Sequence, residues 1–232
     1  MECATSNNPS WCDFCIALET YQNIGMTPEY VKLSDGGAVN RELMVTENFR
    51  VMVALGPVAV GNLLIVTENH LTSMAQLNED WMKELVVIKN KIRKVFLNNN
   101  IQIVFFEHGL KNEEDADGCI SHAHLQVLPV EQDLLDYVQT QYNGYQLPKY
   151  EQLRSINLDG YKGYLHYETI KGANWVFPVN SLESQYIRKL ATKVLGTAEQ
   201  WNWRLFPRLD VIRQTVDMLK DNLQDAKSVG TN

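Results

Sequence analysis

The segment Ser121-His122-Ala123-His124-Leu125-Gln126-Val127-Leu128-Pro129 concentrates side chains able to bind a metal, accept a proton or attack an electrophile. If it is a strand, His122, His124 and Gln126 share one face while Ala123, Leu125 and Val127 enter the core. A strand that merely turns polar residues to water would show the same alternation, so spacing alone leaves both readings open. The second reactive pattern is Cys12-Asp13-Phe14-Cys15. Two thiolates at this spacing can chelate one zinc ion, which needs two further nitrogen or sulfur ligands to close a tetrahedron. A redox dithiol would follow a strand in a βαβ unit, and no such strand is legible before Cys12; two unrelated buried cysteines are the third option. Zinc is the favoured reading, because histidines elsewhere can complete the set.

Such side chains need elements to hold them. Phe49 to Ala54 and Asn62 to Thr67 are short apolar or β-branched runs separated by Gly56, Pro57 and Gly61, which predicts two strands joined by a turn, in an antiparallel sheet. Leu77, Trp81, Leu85, Ile88, Ile92 and Val95 recur at helical spacing, with Asn78 as N-cap and Asn98 to Asn100 as a stop. Ile101 to Phe106 and Ile120 to Leu128 read as further strands, the latter closed by Pro129. Beyond a boundary near residue 131 the pattern predicts a helix from Asp133 to Tyr142 and strands at Tyr164 to Thr169 and Asn174 to Val179. Two helices follow, one capped by Ser181 and carrying Leu182, Tyr186, Leu190 and Val194, the other entered after Pro207. The tail from Lys227 is expected to fray.

The 232 residues suit one enlarged domain or a domain with an extension, and 45% hydrophobic with 21% charged residues is ordinary for a globular protein. No apolar run is long enough to span a bilayer, and Met1 to Trp11 lacks the pattern of a secretory signal, so a cytoplasmic location is expected and no membrane partner. Four cysteines do not make a disulfide scaffold. A net charge of −7 argues against duplex nucleic acid as a partner. The one compact basic stretch, Lys89 to Lys94, falls in the helical pattern and reads as a solvated face.

Taken in order, the C-x-F-C pair, the strand-turn-strand with Gly61, His70, the helix and the His-x-His-x-Gln strand ending in Pro129 resemble the histidine triad superfamily. The resemblance covers residues 11 to 130. Gln126 in place of a third His is similar to the branch containing galactose-1-phosphate uridylyltransferase and diadenosine tetraphosphate phosphorylase. The implied fold is α+β: an antiparallel sheet with a long amphipathic helix over residues 1–130, carrying the N-terminal zinc site, and a mixed α/β C-terminal extension over 131–232 packed on it. In the extension, Ser184-Gln185-x-x-Arg188 and Trp201-Asn202-Trp203 are similar to segments of some bacterial relatives.

The resemblance assigns zinc to Cys12, Cys15, His70 and His122, a closed set that implies a structural ion with no open position for water. It assigns His124 as nucleophile. A neutral imidazole can attack phosphorus near neutral pH, its phosphoramidate stays activated, and its other nitrogen should donate to a carbonyl. Gln126 can donate its amide to a phosphate or leaving oxygen. Ser121 and the backbone of Gly118 to Ser121 lie where relatives cradle phosphate, and His108 follows the neighbouring strand toward the same pocket. Arg188 is the preferred positive group from the extension. Two departures stand out: Ala54 occupies the position where hydrolases hold the ribose, and Glu113, Glu114, Asp115 and Asp117 make an acidic loop expected to face solvent or to select against extra negative charge.

The expected function is therefore a nucleotidyltransferase or phosphorylase acting at the α-phosphate of a small nucleotide through a nucleotidyl-histidine intermediate. Alternatives are a hydrolase of dinucleoside polyphosphates or nucleoside phosphoramidates, and a non-catalytic zinc-stabilised nucleotide-binding protein. A homodimer is an open assembly. Because an amide is no general acid near neutral pH, Gln126 predicts that transfer to a bound acceptor exceeds hydrolysis.

Overall fold

The computed structural model describes residues 12, 14–15, 30–32, 38–116 and 120–224. The expectations for the backbone of Gly118, for Asp117 and for the tail lie outside these residues.

Strands β1 (Tyr30–Lys32) and β2 (Ala38–Asn40) form a small antiparallel pair. The main sheet contains β3 (Glu42–Val45), β4 (Phe49–Val53), β5 (Leu63–Thr67), β6 (Ile103–Leu110), β7 (His124–Pro129), β8 (Tyr145–Leu147), β9 (Gly163–Glu168) and β10 (Asn174–Val179). Its order is β3-β4-β5-β7-β6-β9-β10-β8, and every pairing is antiparallel. Because β5 and β6 both run antiparallel to β7, they run parallel to each other. Such strands cannot be joined by a tight turn, and helix α1 (Glu79–Asn98) supplies the crossover. β7 then fills the slot between them.

Alternation divides the sheet into two buried faces. Ile103, Phe105, Leu125 and Val127 pack on one side with Leu85, Ile88, Ile92 and Phe96 of α1 and Ile212 and Leu219 of α4 (Leu209–Gln224). Val104, Phe106, Leu128, Leu165 and Tyr167 pack on the other with Val138 of α2 (Leu135–Gln139) and Ile187 and Ala191 of α3 (Tyr186–Val194). The apolar stripe of α1 is thus the one its sequence spacing predicts, and the Asn78 side chain caps it by accepting from the Trp81 N–H at 2.9 Å.

Several expectations are corrected. β6 continues to Leu110 through Glu107, because the buried Glu107 carboxylate is satisfied by the Tyr164 hydroxyl at 2.6 Å and the Met74 N–H at 2.7 Å. β7 begins at His124, not Ile120: its pairing with β5 starts at Val66 opposite His124, and the Ala123 N–H is taken by Leu71 O. α2 is shorter than Asp133 to Tyr142. Ser181 does not cap α3: the N-cap position falls on Gln185, in the left-handed region at φ 63° and without a side-chain capping bond. Lys89 is no solvated residue: it is buried under α1, its Nζ 2.5 Å from Glu168 Oε2, while Arg93 holds the other carboxylate oxygen. Burial pushes its pKa down to about 8. No helix among the described residues is long and apolar enough to cross a membrane.

Candidate active site and metal cluster

Cys12, Cys15, His70 and His122 converge, with one ligand atom from each lying within 4.8 Å of every other. His122 Nδ1 is 3.6 Å from Cys12 Sγ and 3.4 Å from Cys15 Sγ, and His70 Nδ1 is 3.3 Å from Cys15 Sγ. Both imidazoles are fixed from behind: His122 Nε2 donates to Thr67 O at 2.7 Å, and His70 Nε2 meets Glu113 Oε1 at 2.5 Å. Holding the remote nitrogen in this way sets the tautomer that turns the Nδ1 lone pair toward a metal ion. Burial keeps His122 neutral, pushing its pKa down to about 4. The four residues could hold a metal ion. Glu113 is a correction, since this acid of the 110–117 loop serves His70 instead of simply facing solvent.

One residue beyond Ala123, His124 Nδ1 lies 2.8 Å from His122 O. A carbonyl can only accept, so Nδ1 carries the proton and Nε2 keeps the bare lone pair. Burial lowers the pKa of His124, favouring this neutral form. His124 and Gln126 line a hollow with His108 of β6, closed on the opposite side by Glu183, Tyr186 and Arg188 at the start of α3. Gln126 Oε1 is buried there without a hydrogen-bond partner among the described residues. Phe14, between the two cysteines, touches both sites, its ring centroid 5.5 Å from that of His122 and 5.9 Å from that of His124.

Residues 39–143 match the family model described as "Protein similar to CwfJ C-terminal". Similar solved structures include a hypothetical protein from Leishmania major (15% identity, 53% of this chain and 75% of that one covered, TM-score 0.37). A histidine triad nucleotide-binding protein from Candida albicans (17%, 51% and 73%, TM-score 0.35) is another. A HIT family hydrolase from Clostridium thermocellum (16%, 52% and 91%, TM-score 0.33) is a third. No curated protein matches the chain.

Residues within the matched segment and residues after it meet at the hollow. Of the sequence candidates, His124, Gln126, His108 and Arg188 all line it, whereas Ser121 is buried beside His122 and is not among its lining residues. Ala54 is buried at the end of β4 and does not line it either. Arg188 is buried, and its guanidinium donates to Asn62 Oδ1 at 3.3 Å, Trp201 O at 3.2 Å and Gly56 O at 2.5 Å. Burial, then Arg208, lowers its pKa to about 10, which leaves it charged at neutral pH. These acceptors are neutral, so no carboxylate among the described residues pairs with its charge. Sequence reading missed Asn62, which joins Arg188 to the segment by also donating to Val127 O and accepting from the Val58 N–H. A polar residue inside an otherwise apolar strand-turn run was the available signal.

Proposed function

We propose that the hollow binds a nucleotide with a substituted α-phosphate and that His124 attacks its phosphorus. The observation that carries this reading is the locked tautomer: Nδ1 held on His122 O leaves the Nε2 lone pair for the hollow that Gln126 and Arg188 share. The Gln126 amide, whose oxygen has no partner among the described residues, is placed to donate to a phosphoryl oxygen, and the Arg188 charge offsets the phosphate. The reading is also supported by the resemblance of the His-x-His-x-Gln strand to nucleotidyl-transferring relatives.

The metal is zinc in this reading. Tetrahedral zinc with bonds of about 2.3 Å to sulfur and about 2.0 Å to nitrogen places these atoms about 3.6 Å apart. The observed separations of 3.3 to 3.6 Å fit that edge. Such an ion would cross-link Cys12 and Cys15 to His70, after β5, and to His122, two residues before β7, and would leave no reacting position.

The test is incubation with nucleotides labelled at the α-phosphate. Wild type should acquire acid-labile label and His124→Ala none. Supplying phosphate, sulfate or sugar phosphates then partitions the adduct between transfer and hydrolysis. Absence of both label and turnover across all four bases would overturn the reading.

A further inference from the structure

The nucleophile and Gln126 leave one step unserved. When His124 displaces the substituent from phosphorus, the bonding pair goes to the leaving oxygen, and an amide cannot give that oxygen a proton. The neighbouring strand presents a group that can. β6 and β7 pair with Val104 opposite Leu128 and Phe106 opposite Gln126. Continued by two residues, that register sets His108 opposite His124, and both positions lie within their strands. Directly opposed residues of an antiparallel pair share a face, with Cβ atoms about 5 Å apart. Both imidazoles line the same hollow, and His108 has no hydrogen-bond partner among the described residues.

We propose that His108 is the proton donor to the leaving group, and that the substrate accordingly carries on its α-phosphate an alcohol-type leaving oxygen basic enough to need one. This inference rests on His124 being the nucleophile. In the first half-reaction the Nε2 lone pair of His124 forms the P–N bond, the P–O bond breaks, and protonated His108 transfers its proton to the departing oxygen. In the second, the incoming hydroxyl or water gives its proton to the now neutral His108 as its oxygen bonds to phosphorus and the P–N pair returns to His124. Burial and the adjacent His124 hold the His108 pKa down, at about 4, in the empty site. A phosphate anion bound between the two rings favours the charged form and brings the proton with the substrate. The other ionisable groups around the hollow are Glu107, Glu183, Tyr186 and Arg188. The Glu107 carboxylate is turned away, held by Tyr164 and the Met74 backbone.

The experiment compares two leaving groups on the same nucleotide: the p-nitrophenyl and ethyl esters of AMP, GMP, CMP and UMP. p-Nitrophenolate leaves without a proton; ethoxide does not. His108→Asn and the bulkier His108→Gln should lower kcat/KM for the ethyl ester by about 100-fold or more while lowering it for the p-nitrophenyl ester by less than about tenfold. His124→Ala should abolish both. Equal losses on the two esters would show a structural or binding role and overturn the proposal, as would no loss on either. Melting curves of the variants identify a folding defect, which would depress both esters together. A wild type inactive on every ester and unlabelled at His124 would sink the nucleotidyl-transfer reading itself. An active, labelled wild type with equal losses removes His108 alone.

Discussion

Gly56→Ala tests how the residues after 131 are fastened to the turn between β4 and β5. Gly56 has φ 52°, and a Cβ built there would lie 2.5 Å from Trp203 Cα and 2.6 Å from Phe206 O. Left-handed backbone costs a non-glycine residue about 1–2 kcal/mol. Backbone atoms cannot rotate away, so the overlap adds a repacking cost of about 1–3 kcal/mol. The sum of about 2–5 kcal/mol corresponds to a fall of roughly 4–20 °C in melting temperature for a chain of this size. Gly160→Ala is the control: its φ is 77° and nothing lies within 4 Å, so only the backbone term applies. Because Gly56 O accepts from Arg188, shifting the turn should also weaken nucleotide affinity by about tenfold, through a charge-assisted hydrogen bond. Thermal unfolding of both variants and nucleotide titration of the first measure these effects. Equal melting losses for the two would refute the close contact between Gly56 and the Trp203–Phe206 segment.

Elemental analysis of protein purified without added metal should find one zinc per chain. Chelation should remove about 2.7 kcal/mol if free zinc stands about 100-fold above its Kd, lowering the melting temperature by about 5–11 °C. Cys12→Ser should reproduce the loss, and a zinc-free protein with a Cys12 to Cys15 disulfide would overturn the site. Glu107→Gln should change the pH dependence of stability. Burial raises the Glu107 pKa from 4.5 to about 7, so the folded state binds the extra proton and wild-type stability falls as pH rises across that window. The variant should lack that component, on the order of 3 kcal/mol; parallel stability profiles from urea melts at pH 4.5 to 7.5 would contradict it.

What was legible in the sequence is what local pattern encodes. Helix α1 was readable because its stripe repeats and Asn78 supplies a local cap. The four side chains that could hold a metal ion were readable as chelating types, and their convergence follows from the sheet order that brings His70 and His122 together. Lys89 was misread because the acid that neutralises it, Glu168, lies 79 residues away. The end of β6 was missed for the same reason: Glu107 looks like a strand terminator until Tyr164, 57 residues on, is known to bind it. Arg188 was legible as a cation, but nothing local shows that Asn62, 126 residues away, and Gly56 hold its guanidinium beside the hollow. Ser181 satisfied a capping pattern that Gln185 overrides through its own left-handed turn.

The position of β7 has a consequence for motion. It is bonded by β5 along one edge and by β6 along the other, so opening it requires separating two ladders at once. Its amides should therefore exchange with solvent only in openings close to global unfolding, and His124 rides on one of the slowest parts of the chain. The opposite wall of the hollow, from Leu182 to Ile187, is a loop and a first helical turn entered through Gln185 at φ 63°. Any breathing that opens the hollow falls to that wall, so entry of a ligand can be limited by its opening rate while His124 stays on a fixed strand.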